Sequence, residues 1–211
     1  MNDLIVQQPD LNGTPAAHLF LLFHGVGGSA EDLHALGTAL AIRHPRAWII
    51  SVQASQPSDQ GLGWQWFSVR GVTDDNRADR VANAMPSFLQ AVARWQQHSG
   101  VPASHTTLLG FSQGAIMALA TTQQALPAAS RVAALAGRFA VAPTQVLPGM
   151  RIHLLHGQAD TVVPTQASVD AYTQLQALRA TVTLDIFPHL GHGIDARVAA
   201  RLWERLADGA G

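Results

Sequence analysis

Cysteine is absent from this chain, which rules out disulfides, thiolate metal centres and a cysteine nucleophile, although that absence does not by itself assign a compartment. Charge is scarce too. Only 13% of the residues are Asp, Glu, Lys or Arg, thirteen basic against fourteen acidic, with no block of like sign. A formal net charge of −1 leaves no electrostatic footprint for nucleic acid or for an anionic membrane. Long apolar runs are missing as well: Leu19 to Phe23, the longest early one, is far too short to span a bilayer. The start, Met1-Asn-Asp-Leu-Ile-Val, has neither a basic beginning nor an apolar stretch with a cleavage site, so no signal peptide is expected. The ten histidines show no metal-ligand spacing, and neither a metal nor a cofactor is expected. These absences predict a soluble cytoplasmic protein with no membrane insertion and no nucleic-acid partner.

Nearly half the residues, 47%, are apolar, and 211 residues suffice to bury one sizeable core, so residues 1–211 are expected to form a single domain. Apolar β-type runs alternate with helical patterns throughout, which predicts an α/β fold with a mostly parallel sheet and helices on both faces. The strand candidates are Leu4–Gln8, Leu19–His24, Trp48–Val52, Thr106–Leu109, Val132–Ala136, Ile152–His156 and Thr181–Phe187. The last alternates apolar and polar residues and should lie nearer an edge. Helices are expected near Ser29–Arg43, Asp75–His98, Gln113–Leu126, Thr165–Leu178 and Ile194–Leu206, with Pro86 kinking or interrupting the second. Residues 53–74 carry no clear periodicity, yet contain Trp64-Gln-Trp66-Phe67, too apolar for disorder. Two readings stay open for that segment, a short extra strand packed on the core and a wall of a substrate site.

Gly110-Phe-Ser112-Gln-Gly114 follows a β-type run and precedes a helical one, the context in which Gly-x-Ser-x-Gly forms a nucleophile elbow. A serine hydroxyl needs an imidazole to take its proton and a carboxylate to fix that imidazole's tautomer. The chain supplies both in order. Asp160 falls in a loop just past the run Ile152–His156, and His192 in the loop between Thr181–Phe187 and the last helix. Asp185 lies within a strand, Asp195 opens the last helix, and Asp170 falls mid-helix, so none competes well. His189 is the rival base; His192 is preferred because Gly191 and Gly193 flank it. His24 and His156 each end a strand before a glycine, and are expected to hydrogen-bond nearby loop backbone. For the oxyanion, the N–H of Gln113 at a helix start and that of Val26 in the loop His24-Gly-Val-Gly-Gly-Ser29 are the candidate donors. That loop lacks the Gly-Lys-Ser/Thr ending of a phosphate cradle.

Taken together, His24-Gly-Val-Gly-Gly28, Trp66-Phe-Ser68, Gly110-Phe-Ser-Gln-Gly114, His156-Gly-Gln-Ala-Asp160 with Val163-Pro164, and Gly191-His-Gly193 resemble the phospholipase/carboxylesterase group of α/β-hydrolases. These small serine esterases include acyl-protein thioesterases, and the segment Gln65 to Arg77 looks most like the bacterial esterase branch. The resemblance spans nearly the whole chain and implies an α/β-hydrolase fold without a large lid domain. By it, Ser112, Asp160 and His192 match the family's triad, and Val26 and Gln113 its oxyanion donors. Thioesterase members commonly carry an acidic residue where this chain has Gly28, and often Asp where it has Ser68. Those departures favour a general carboxylesterase.

The expectation is therefore a serine carboxylesterase that cleaves short- to medium-chain esters through an acyl-enzyme. A thioesterase or lysophospholipase on acyl-proteins or acyl thioesters, an amidase and a non-catalytic binding module are the alternatives. Trp64, Trp66 and Phe67, with Phe139, are candidates for an apolar acyl pocket. Trp203 on the last helix is a candidate homodimer contact, against the plainer reading of a half-buried surface anchor.

Overall fold

The computed structural model describes residues 2–10 and 14–207. In chain order the strands are β1 (Leu4–Gln7), β2 (His18–Phe23), β3 (Ala47–Val52), the short hairpin β4 (Gln56–Pro57) and β5 (Trp64–Gln65), then β6 (Thr106–Phe111), β7 (Arg131–Leu135), β8 (Arg151–Gly157) and β9 (Thr181–Phe187). The helices are α1 (His34–Arg43), α2 (Asp74–Ser99), α3 (Gln113–Thr121), α4 (Gln166–Ala177) and α5 (Ala196–Ala207).

Seven strands form one sheet in the order β1-β3-β2-β6-β7-β8-β9, antiparallel only where β1 meets β3. The chain steps outward from β2 to β3, then returns past β2 to β6 and continues the other way. That reversal opens a crevice beyond the carboxyl ends of β2 and β6, where open α/β sheets hold their ligands. No lid domain is inserted among the described residues, and none of their helices is long and apolar enough to cross a membrane.

Alternation along the strands sorts the core into two layers. Leu19, Leu21 and Phe23 of β2 pack with α2, α3 and α4, while Phe20 and Leu22 pack with α1 and α5. The same parity holds in β3 and β7, with Ile50 and Val132 on one face, Ile49 and Ala133 on the other. β9 is the edge strand its alternating pattern predicts. Its Asp185 is held by two bonds from Arg205, each 2.9 Å. Trp203 lies half-buried under the Arg43 guanidinium, 5.0 Å from the ring centroid, so its face is already used within the chain.

Two helices depart from expectation. Pro86 does not interrupt α2, because it sits on the exposed face, where the Ala82 carbonyl deprived of its donor is open to water. The stripe Val81, Met85, Phe88, Val92 and Trp95 stays buried across it. α3 stops at Thr121 rather than near Leu126. The Thr121 and Thr122 hydroxyls donate to the carbonyls of Ala118 and Leu119, both at 2.7 Å, and the following amides close three-residue turns.

One half-buried histidine makes the fold acid-sensitive. His18 opens β2 with Nε2 2.8 Å from Thr107 Oγ1. Burial, with Arg131, His44 and His105 nearby, pushes it down from 6.5 to about 3. Between those values the unfolded chain binds the proton and the folded one does not, so stability falls as pH falls. The loss from this group is at most about 1.4 kcal/mol per pH unit. Burial lowers His24, His44 and His156 in the same direction. Thermal melts from about pH 7.5 to about pH 4 should show Tm dropping steadily. His18→Gln, which cannot titrate, should flatten that slope; an unchanged slope would contradict the assignment.

Candidate active site

The elbow at the end of β6 is built under strain. Ser112 has φ 52° and ψ −115°, a conformation that side chains with a Cβ avoid. Its N–H donates to Leu135 O at 2.9 Å, tying the turn to β7. The flanking glycines are required by contact. A Cβ at Gly110 would lie 2.4 Å from Gly114 O, and one at Gly114 would lie 2.1 Å from Phe23 O. The turn is thus folded tightly on itself and pressed against the end of β2.

Ser112, His192 and Asp160 come together in one hydrogen-bonded line. His192 Nδ1 is 2.7 Å from Asp160 Oδ2 and its Nε2 is 2.9 Å from Ser112 Oγ. An ionised carboxylate only accepts, so the imidazole proton sits on Nδ1 and Nε2 faces the serine hydroxyl as an acceptor. Asp160 Oδ1 takes the N–H groups of Val162 and Val163 at 2.8 and 2.9 Å. Burial acts to raise this carboxyl, but the His192 bond and the two backbone donors outweigh it and hold it below its ordinary value. The Phe111 ring lies 5.1 Å from the imidazole. His189 is exposed and adopts the left-handed turn of this loop, φ 61°, while neither Gly191 nor Gly193 needs to be glycine. The glycine this corner does require is Gly157, where a Cβ would meet Gly191 O and Leu190 O at 2.4 Å.

The glycine loop after β2 runs beside the serine, with a Cβ at Gly25 falling 3.3 Å from Ser112 Cβ. Gly27 N donates to Trp64 O at 2.8 Å and Gly28 N to Gly25 O at 3.2 Å. Among the described residues, no acceptor takes the N–H of Val26 or of Gln113. A Cβ at position 28 would lie 2.3 Å from the capping carboxylate of Asp32, so a side chain there would have to displace that cap. His24 staples this loop to the next: Nδ1 donates to Gly25 O at 2.7 Å and Nε2 accepts from Ala54 N at 3.2 Å.

The segment 53–74 resolves into the β4–β5 hairpin and a strut. Trp64 pairs with the glycine loop, bridging Gly28. Of the two readings open for this segment, Trp66 and Phe67 follow the core one: both are buried in the core, and the Trp66 ring contacts Phe23 and Phe88. Trp66 Nε1 must find an acceptor once buried, and donates to His24 O at 2.9 Å. Phe139 belongs to the same core. The Gln113 side chain, unremarked in the sequence, fastens this strut to α3 by accepting from Trp66 N at 2.8 Å and donating to Phe67 O at 2.7 Å.

An open cleft of about 360 Å³ lies along the glycine loop, with Val26, Leu33, Phe111 and Ile194 as its apolar walls. A larger cavity, about 470 Å³, sits elsewhere, among His18, His44, His105 and Arg131. It holds none of the three residues of the hydrogen-bonded line, and the chemistry is not assigned to it. Among the described residues, no three His, Asp or Glu side chains converge as a metal-ligand set.

A sequence model of the family described as Phospholipase/Carboxylesterase matches residues 2–207. The chain belongs to that family. This family member is similar to Esterase YpfH of Escherichia coli strain K12, 45% identical over 193 residues that cover 92% of this chain and 82% of the relative. Among solved structures it resembles esterase PE8, with TM-score 0.84, 26% identity, and 94% and 95% of the two chains covered. SOBER1 of Arabidopsis thaliana shares the fold at TM-score 0.68 and 20% identity, over 89% and 96% of the chains. The family member is a hydrolase of α/β-hydrolase fold.

Proposed function

We propose that this chain is a serine carboxylesterase acting on soluble esters of short- to medium-chain acids through an acyl-enzyme. The observation that carries the reading is the line Ser112–His192–Asp160, with the serine held strained at the crevice between β2 and β6. Ser112 Oγ attacks the ester carbonyl carbon as His192 Nε2 takes its proton, and Asp160 steadies the imidazolium. The carbonyl oxygen, now an oxyanion, is received by the N–H groups of Val26 and Gln113, the second at the positive end of α3. Collapse expels the alcohol, which leaves with the proton from His192. Water then attacks the acyl carbon, giving its proton to His192, and the acid departs as Ser112 regains its hydrogen.

Trp66 and Phe67 serve in this reading as support for the oxyanion donors rather than as acyl contacts. The open cleft, apolar along Val26, Phe111 and Ile194, suits a modest acyl group. Hydrolysis of p-nitrophenyl esters from acetate to palmitate, beside matched thioesters, tests the proposal. The expected profile peaks at short or medium chains, with oxygen esters faster. A protein whose Ser112 is labelled by a fluorophosphonate but which hydrolyses no ester in the series would overturn the substrate class. Failure to label would overturn the nucleophile.

A further inference from the structure

One buried titratable group stands against the acid and has no part in the steps above. His156, near the end of β8, is 1% exposed. Its Nε2 lies 2.9 Å from Val163 O and 3.2 Å from Asp160 Oδ2, and its Nδ1 lies 2.7 Å from Ser168 Oγ on α4. Two pure acceptors facing Nε2 demand a proton there, so the neutral ring donates from Nε2 and accepts from Ser168 at Nδ1.

We propose that His156 is a positioning residue for ester hydrolysis, latching the acid loop so that Asp160 is aimed at His192. This rests on the proposed role of the Ser112–His192–Asp160 line. The single Nε2–H goes to the Val163 carbonyl, and the same nitrogen lies 3.2 Å from Asp160 Oδ2, the oxygen that also receives His192. Asp160 Oδ1 is meanwhile held by the amides of Val162 and Val163. Three donors thereby hold the carboxylate, and the His156 bond to the Val163 carbonyl pins the residue that supplies one of them. Ser168, itself buried, transmits the orientation from α4. A neutral N–H dipole 3.2 Å from Oδ2 also moderates its basicity, so Asp160 stabilises the imidazolium without drawing the proton away from His192. Burial keeps His156 uncharged, and a neutral donor cannot displace the imidazolium as the partner of Asp160.

Three variants test this. His156→Gln can place an amide N–H where Nε2 stands, His156→Leu cannot, and Ser168→Ala removes the donor behind the ring. His156→Leu is expected to lower kcat about 10–100-fold with KM nearly unchanged. It should also move the acid limb of kcat/KM to higher pH, because a carboxylate without that N–H dipole beside it holds the imidazolium more tightly. The downfield NMR resonance of the proton between His192 and Asp160, read without substrate, should shift in the same variant. His156→Gln should recover most of kcat, and Ser168→Ala should lose less than His156→Leu.

Wild-type kcat, pH profile and resonance in His156→Leu would overturn the proposal, as would an equal loss in the glutamine variant with its Tm intact. Should the leucine variant fail to fold, the glutamine and Ser168 variants decide by the same readouts. Fluorophosphonate labelling of Ser112 in wild type keeps failure of this inference separate from failure of the esterase reading, since labelling and resonance are both read without an ester.

Discussion

Ser112→Ala is expected to reduce kcat for p-nitrophenyl esters by about 10⁴–10⁶-fold in a protein that still folds. The serine supplies the atom that becomes acylated, so no neighbouring group can substitute for it. The residue of activity over water would come from the two backbone donors and from substrate binding. The strained backbone adds a second, independent expectation. Alanine at φ 52° carries the same steric burden as serine, whereas glycine carries none. Ser112→Gly should be as inactive as Ser112→Ala yet more stable than it by about 1–3 kcal/mol. Assays with purified variants, paired with thermal melts, check both parts. Activity within a hundredfold of wild type in the alanine variant would reject Ser112 as the nucleophile, and equal melting of the two variants would reject the strain.

Gly114→Ala should be among the most damaging single methyls at the described glycines. The added Cβ would lie 2.1 Å from Phe23 O, 2.6 Å from Phe23 C and 2.7 Å from His24 O, all backbone atoms of β2 and its loop. No rotamer change can relieve that overlap, so α3 or β2 must move. Overpacking of a core costs about 1–3 kcal/mol where side chains can adjust, and here they cannot. A loss of about 3 kcal/mol or more corresponds to a Tm drop of roughly 6–12 °C at this chain length. Any protein that folds should also lose kcat, because the displacement separates the Val26 loop from Ser112. Gly193→Ala is the matched control: nothing lies within 4 Å of a Cβ there and its φ is ordinary, so Tm and kcat should stay near wild type. A Gly114→Ala protein with wild-type Tm would show that the elbow and β2 are not in contact as described.

Much of this was legible in the residues because continuous apolar runs and their punctuation are local. β2, β3 and β7 read as strands within a residue or two, and the edge position of β9 followed from Thr183 and Asp185 interrupting its apolar face. Ser112, Asp160 and His192 each lie just beyond a strand, which is why chain order alone suggested that they meet. What could not be read depended on contacts distant in sequence. His192 was preferred over His189 for its flanking glycines, yet those glycines are unconstrained, and the corner is set by Gly157 against Leu190 and Gly191. Trp66 and Phe67 could be pocket or core aromatics by sequence, because nothing local reveals that Phe23 and Phe88 pack on Trp66. His156 read as a backbone-bonding histidine, true of its bond to Val163, while its proximity to Asp160 became visible only once the loop was closed. Pro86 misled because a helix-breaking residue is judged by its own backbone, and exposure to solvent, a tertiary property, decides its effect.

The strand order has a consequence for how the enzyme could be divided. Every strand before α2 that joins the large sheet lies on one side of the β2–β6 pairing, and every strand after it on the other. Ser112, Asp160 and His192 all belong to the later segment, while Val26 and the hairpin that props it belong to the earlier. The turn at Gly100 between them is exposed, with nothing within 4 Å of a Cβ. Two polypeptides cut there would carry nucleophile and oxyanion loop separately and meet through the β2–β6 pairing and the helix contacts on either side of it. Turnover would then report their association, making this fold a natural scaffold for a fragment-complementation sensor.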